Sequence, residues 1–337
     1  MTKILVTGAA GFIGAALCKK LLIENKDVEI VGVDSMNTYY NVELKRFRIG
    51  DIARVREKKS SGQFYMHSIC DKKFMEELFR KERFDVVVNL AAQAGVRYSI
   101  EHPDTYIENN IVGFFNVLEC CRKYSVQHLI YASSSSVYGK NRSYPYMESD
   151  RTDCPVSLYA ATKKADEVMA HAYSELYGLM TTGLRFFTVY GPMGRPDMAC
   201  WKFTNSILSG EEITLYGVCE RDFTYIDDIT EGISRIVMDK TIRREKYMIY
   251  NIGCGQPVSV YHFVSTLYDK LVRAGVLDEY SRLRFTCAEM QPGDVEKTYA
   301  DSRALERDYG YKPMCGLEEG LKKWSEWVGG EGGMCFL

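Results

Sequence analysis

Tyr159 and Lys163 stand four residues apart, the spacing that puts two side chains on one face of a helix. Oxidising an alcohol needs a base that takes the hydroxyl proton while hydride leaves the carbon. Free tyrosine, with a pKa of about 10, holds its own proton too firmly for this near neutrality. Bringing it to about 7 requires roughly 4 kcal/mol, which a nearby ammonium and a cationic ring can supply. Ser134 would hold and orient the same hydroxyl. Of the 24 tyrosines only Tyr159 is followed four residues later by lysine, so position carries the argument. The pair follows Ser133-Ser134-Ser135-Ser136, at the carboxyl edge of a strand-like run, where ligands of open α/β sheets bind.

Placing such a pair requires a sheet, and the chain supplies strand-length apolar runs at Ile4 to Thr7, Val28 to Val33, Phe84 to Leu90 and His128 to Ser133. Helical spacing separates them over Ala15 to Asn25, Lys72 to Lys81 and Asn110 to Tyr124. Strands alternating with helices at this spacing predict βαβ units and a parallel sheet covered on both faces. The alternation weakens after about Arg185, which fits a smaller second domain completed by later segments.

Gly8-Ala9-Ala10-Gly11-Phe12-Ile13-Gly14 follows the first strand and opens the first helix. Such a turn aims backbone N–H groups and the positive end of a helix dipole at a pyrophosphate. Asp34 ends the second strand about 20 residues after Gly14, where a carboxylate accepts hydrogen bonds from a ribose 2′-OH. The same carboxylate would repel a 2′-phosphate, and neighbouring Ser35 supplies no cation, so the expected cofactor is NAD rather than NADP.

Composition narrows the function classes. The 337 residues carry 43 basic and 45 acidic side chains, a net charge of −2 that leaves no excess for nucleic acid or an anionic membrane. No run approaches the roughly 18 apolar residues of a membrane span. Eleven scattered cysteines without a C-x-x-C pair read as free thiols in a reducing cytoplasm. The first 18 residues superficially resemble a signal peptide, but three spaced glycines and the lack of a small-x-small site argue against secretion. His67, His102, His128, His171 and His262 have no partners at metal-ligand spacing, so no metal is expected. Cys120-Cys121 and the pair Trp324 and Trp327 read as core packing.

Further motifs carry a resemblance that runs from Lys3 to about Trp327. They are Asn89-Leu90-Ala91-Ala92-Gln93-Ala94, Ser134-Ser135-Ser136-Val137-Tyr138-Gly139, Arg185-Phe186-Phe187-Thr188-Val189-Tyr190-Gly191-Pro192 and Arg221-Asp222-Phe223-Thr224-Tyr225-Ile226-Asp227-Asp228. The chain resembles the extended short-chain dehydrogenases/reductases of the NAD-dependent sugar epimerase/dehydratase family. Within it, Ala94-Gly95-Val96-Arg97-Tyr98-Ser99 and Gly194-Arg195-Pro196-Asp197-Met198-Ala199 are most similar to UDP-glucuronate 4-epimerases.

The resemblance implies an α/β, Rossmann-type doubly wound parallel sheet over 1–185, a smaller C-terminal UDP-sugar domain mainly over 186–328, and a flexible tail, 329–337. It implies Tyr159 as base, Lys163 as ribose-binding lysine and Ser134 as third catalytic member. NAD would meet Gly8, Gly11, Phe12, Ile13, Gly14, Asp34, Ile69, Leu90, Ala91 and Ala92 besides Tyr159 and Lys163. Arg221 would grip the diphosphate and Asp294 the uridine ribose; Arg97 would also face the substrate. Ser135, Ser136, Thr188 and Arg195 would lie near the C5 substituent of the sugar. Ser68 departs from the family's aspartate against the adenine, and Asn89 from its frequent histidine.

The implied activity is 4-epimerisation of UDP-glucuronate to UDP-galacturonate through a 4-keto intermediate, by a cytoplasmic homodimer. A decarboxylating UDP-xylose synthase, a UDP-glucose 4-epimerase and a silent NAD-sensing protein remain as alternatives. A dehydratase is disfavoured, because Ser135 and Ser136 stand where those enzymes carry an acid pair.

Overall fold

The computed structural model describes all residues except 57–61, 242–244, 279, 292, 331, 332 and 337. Six strands come first: β1 (Thr2–Thr7), β2 (Val28–Asp34), β3 (Gly62–Met66), β4 (Val86–Asn89), β5 (His128–Ser134) and β6 (Met180–Phe186). They are followed by β7 (Thr188–Tyr190), β8 (Ile213–Tyr216), β9 (Glu220–Tyr225), β10 (Tyr247–Ile252), β11 (Pro257–Ser259) and β12 (Phe285–Ala288). Seven of these form one sheet in the order β10-β6-β5-β4-β1-β2-β3, with every pairing parallel.

Alternation along the strands explains why both faces are covered. In β1, Ile4 and Val6 pack into one core with Leu17 and Leu21 of helix α1 (Phe12–Glu24). Leu5 between them packs into the opposite core, with Met75, Leu78 and Phe79 of α3 (Lys72–Glu82) and with Phe114 and Val117. A run buried on both faces must be apolar throughout, and the central strands read that way.

The fold is therefore the expected α/β doubly wound parallel sheet. The sequence reading omitted β3 and the helix α2 (Val42–Arg56) that precedes it. Strand β3, Gly62-Gln63-Phe64-Tyr65-Met66, lies at the sheet edge and carries only a short apolar run, and α2 is rich in charge with no sharp apolar stripe. The single helix expected over 110–124 is segmented: short turns at Tyr98–Glu101 and Pro103–Tyr106, a π-helical stretch Ile107–Val112, then the α-helix Gly113–Lys123. Cys120 and Cys121 are buried there.

Beyond β6 the chain builds a three-stranded sheet β11-β9-β7 and a two-stranded sheet β12-β8. Strand β10 returns to the large sheet and pairs with β6 from Tyr247↔Thr181 to Ile252↔Phe186. Trp201 packs edge-on against Trp324 and Trp327 at centroid separations of 5.5 and 5.6 Å, tying the C-terminal helix Leu317–Gly329 to the helix Ala199–Ser209. Of the tail, residues 331, 332 and 337 lie outside the described residues, and the Phe336 ring meets Phe47 of α2.

Candidate active site

In an open sheet the crevice opens where strand order reverses, here between β1 and β4. Registers Thr7↔Val33 and Thr7↔Asn89 bring three carboxyl ends level around it. A cavity of about 420 Å³ lies there, lined by residues from both halves of the chain.

The glycine turn forms one wall. Gly8 has φ +68°, and a Cβ there would stand 2.8 Å from Ala91 N and Leu90 C, so only glycine allows β1 and the loop after β4 to approach this closely. At Gly14 a Cβ would come within 2.1 Å of the Gly8 carbonyl oxygen; its absence lets α1 pack onto the turn. Gly11, the N-cap of α1, has no side chain to cap the helix, which leaves its positive end to a ligand. Gly8, Gly11, Phe12, Ile13 and Gly14 all line the cavity, as do Ile69, Leu90, Ala91 and Ala92.

Asp34 ends β2 on the same wall, buried, with Oδ2 accepting from the Ala10 N–H at 3.1 Å and Oδ1 from the Met36 N–H at 2.8 Å. Ser35 supplies no cation, but one reaches Asp34 from elsewhere in the chain. Lys45, from α2 and also buried, brings Nζ to 3.9 Å from Asp34 Oδ1 and donates to Asn37 O and Oδ1 at 3.0 and 2.8 Å. Burial pulls this ammonium below its usual pKa, and Asp34 partly restores it.

Of the two departures, Asn89 is buried inside the sheet, where Oδ1 accepts from Thr7 Oγ1 at 2.6 Å. Thr7 Oγ1 in turn accepts from the Ala91 N–H at 3.2 Å, so the amide fixes the wall rather than facing the cavity. Ser68 lines the cavity, and its hydroxyl accepts from the Cys70 N–H at 3.1 Å.

Tyr159 and Lys163 enter from the helix Leu158–Tyr177, whose N-cap Ser157 accepts from the Ala160 N–H at 3.1 Å. The Tyr159 ring meets Tyr106 edge-on at 6.0 Å. Asn110, inside the π-helical stretch, donates to Thr162 Oγ1 and to the Gln93 carbonyl, both at 3.0 Å, and so locks this helix to the loop after β4. A π-helical insertion often marks a functional site, and here it aims Asn110 inward. At the end of β5, Ser134 caps the 3₁₀ turn Ser135–Tyr138, its Oγ accepting from the Ser136 N–H at 3.1 Å. Ser134, Ser135 and Ser136 face the same cavity as Tyr159 and Lys163.

The sugar-side residues divide. Thr188, at the start of β7, and Arg195 line the cavity. Arg195 holds Asp197 through two bonds, Nε to Oδ1 at 2.9 Å and Nη2 to Oδ2 at 2.7 Å. Burial alone would raise the Asp197 carboxyl; the guanidinium outweighs it and holds the group below the usual range. Asp197 Oδ2 also accepts from Tyr39 Oη at 3.2 Å, and burial together with that carboxylate pushes the phenol up to about 12. Arg97, Arg221 and Asp294 lie outside the cavity lining. Arg97 pairs with Asp294 at 2.9 Å over the ring of Tyr216, and Arg221 donates to the carbonyls of Glu220 and Glu296 at 2.9 and 3.2 Å. Pro292, beside Asp294, lies outside the described residues.

Sequence reasoning missed Lys45, Tyr39 and Tyr40, which line the cavity from α2 and the segment before it. Their only signal is proximity to Asp34 in the chain. No group of three or more His, Cys, Asp or Glu residues that could hold a metal occurs among the described residues, and no helix among them is long and apolar enough to cross a membrane.

Comparison with known proteins bears on this site. The family described as GDP-mannose 4,6 dehydratase matches residues 5–324. The chain belongs to that family. Protein CapI of Staphylococcus aureus is 48% identical over 341 residues, covering 96% of this chain and 98% of that protein. UDP-glucuronate 4-epimerase 3 of Arabidopsis thaliana is 42% identical over 340 residues, covering 96% of this chain and 76% of that protein. A crystal structure of UDP-glucuronic acid 4-epimerase from Bacillus cereus, in complex with UDP-glucuronic acid and NAD, matches with a TM-score of 0.86 at 31% identity, over 97% of this chain and 99% of that one. This member of the GDP-mannose 4,6 dehydratase family thus shares its fold with a protein solved with UDP-glucuronic acid and NAD.

Proposed function

We propose that this protein interconverts UDP-glucuronate and UDP-galacturonate by inverting C4 of the sugar. The chain is an enzyme, an NAD-dependent UDP-sugar 4-epimerase and hence an isomerase. The observation that supports the glucuronate reading is one cavity lined by a guanidinium, Arg195, by three hydroxyl residues, Ser135, Ser136 and Thr188, and by the Tyr159 and Lys163 pair; Asp197 engages Arg195 through Nε and Nη2 and fixes its orientation. A guanidinium with hydroxyl donors is the donor set a carboxylate requires, and a neutral hydroxymethyl group requires none of it.

The residues present fit NAD. One cavity joins the glycine turn and Asp34 to Tyr159 and Lys163, with the uncapped start of α1 at its wall. NAD held there supplies a hydride acceptor, and later a hydride donor, for C4. Tyr159 takes the O4 proton and returns it to the 4-keto sugar after the ring has turned. Lys163 would bind ribose hydroxyls, while Ser134 would orient O4. The small side chains of Ser135 and Ser136 leave the sugar room to rotate. Arg221, Asp294 and Arg97 would hold the nucleotide end, with residues 1–185 carrying NAD and 186–328 mainly the UDP-sugar.

The proposed assembly is a cytoplasmic homodimer. Exposed Ile107, Val112, Phe115, Val168 and Leu176 place apolar surface on the neighbouring helices 107–123 and 158–177, and eleven free cysteines suit a reducing compartment. Comparison of kcat/KM for UDP-glucuronate and UDP-glucose on the NAD-loaded protein tests the substrate: a preference for the acid sugar is expected, and equal values would refute the glucuronate reading.

A further inference from the structure

Arg48 is 1% exposed, yet its hydrogen bonds go to carbonyls and a phenol and none to a carboxylate. Nε and Nη2 converge on the Met193 carbonyl at 3.1 and 2.7 Å, and Nη2 also reaches the Gly194 carbonyl at 3.1 Å. Nη1 donates to the Ala10 carbonyl at 3.0 Å and to Tyr40 Oη at 2.6 Å. A guanidinium has five N–H donors in a fixed planar fork, and these contacts use all of them. Burial pulls the pKa of this guanidinium down and the Asp34 carboxylate offsets that only without a hydrogen bond, so a cation this buried depends on each donor being matched.

The carbonyl acceptors belong to two loops that are remote in sequence. Ala10 lies in the glycine turn. Met193 and Gly194 belong to the loop after β7, where Gly191 has φ +143° and Met193, a non-glycine residue, has φ +58°. That left-handed conformation is strained for methionine and needs an external hold. The Arg48 fork provides it at the Met193 carbonyl. Two residues later the same loop carries Arg195, whose partner Asp197 accepts from Tyr39. The segment from Tyr39 to Arg48 thus grips this loop at Met193, Gly194 and Asp197 and the cofactor turn at Ala10.

We propose that Arg48 is a positioning residue for substrate selection, holding the loop that carries Arg195 in register with the cofactor turn. The step from loop geometry to sugar choice rests on the glucuronate reading above. Without Arg48, Met193 is free to leave the left-handed region and Arg195 loses its fixed place opposite the C5 carboxylate. A neutral sugar makes no use of Arg195 and should be affected far less.

Two variants, Arg48→Met and Arg48→Lys, test this on NAD-saturated protein by calorimetric binding of UDP-glucuronate and UDP-glucose, with amide hydrogen exchange over 193–198. In Arg48→Met the Kd for UDP-glucuronate should rise about 10- to 100-fold, the order expected for a displaced binding group, while that for UDP-glucose changes less than about twofold. Exchange over 193–198 should accelerate while the helix Ala199–Ser209 stays protected. Arg48→Lys, which keeps the charge with fewer donors, should fall between, and it carries the test alone if the methionine variant does not fold. Equal weakening for both sugars, or unchanged exchange over 193–198, would overturn the role of Arg48. A wild-type protein that binds the two sugars equally would instead refute the glucuronate reading, and the exchange measurement would still decide whether Arg48 holds the loop.

Discussion

Lys163 Nζ donates to Asp166 Oδ2 across 3.0 Å, one helical turn away, with both side chains almost fully buried and Asp166 Oδ1 left without a hydrogen-bond partner. Burial pushes the Asp166 carboxyl up to about 7, more than the ammonium beside it offsets. The ammonium proposed to bind ribose is therefore anchored from behind by a carboxylate that is itself poorly solvated.

This pair gives a pH dependence of stability. The raised folded-state value means that the native chain keeps a proton which the unfolded chain, with an ordinary carboxyl near pH 4, has lost. The stabilising contribution is complete below about pH 4 and is lost as pH rises through about 7. Urea unfolding at pH 5 and pH 8 should show a smaller loss of stability in Asp166→Asn than in the wild type, whatever the variant's absolute stability. Parallel losses would mean that Asp166 stays ionised throughout.

Replacing Tyr159 by phenylalanine should leave the fold and NAD binding intact and lower kcat by the ~10²–10⁴-fold typical of general-base catalysis. The Tyr106 contact is made by the ring, so packing survives loss of the hydroxyl. Near-normal turnover would remove Tyr159 from the mechanism.

Asp34 should make the protein prefer NAD to NADP even though Lys45 stands 3.9 Å away. Both carboxylate oxygens are fixed by backbone N–H groups, and Lys45 is committed to Asn37, so a 2′-phosphate would meet an oriented anion before a free cation. Titration of the cofactor-free protein with each dinucleotide checks this. Similar affinities would show that Lys45 dominates.

What was legible in the sequence is what is local in the chain. The glycine turn, Asp34 and the Tyr159–Lys163 spacing each need only a strand, a turn or a helix to bring their groups together. The clamp on the Arg195 loop could not be read this way, because Arg48 and Met193 are 145 positions apart and a buried arginine looks, in the sequence, like any solvated one in α2. Strand β3 escaped because edge strands need no double-sided apolar run. The positions of Arg97, Arg221 and Asp294 came only through resemblance, and the structure places them outside the cavity, on each other and on backbone carbonyls.

Oxidised UDP-glucuronate is a β-keto acid, and CO₂ leaves readily when the bond to the carboxylate stands perpendicular to the carbonyl plane. Hydroxyls of Ser135, Ser136 and Thr188 should hold that bond near the plane and stabilise the carboxylate charge. Ser135→Ala or Thr188→Val should therefore raise the ratio of UDP-pentose to UDP-galacturonate. Slower turnover with an unchanged ratio would remove these hydroxyls from carboxylate control.

Inversion at C4 within one site can be followed by NMR of the nucleotide sugar formed from UDP-glucuronate carrying deuterium at C4. UDP-galacturonate should form with the deuterium retained at C4 and the cofactor returned as NAD, because the hydride leaves and comes back within one site. UDP-pentose with release of CO₂ as the main product, or UDP-galacturonate with deuterium lost from C4, would contradict it.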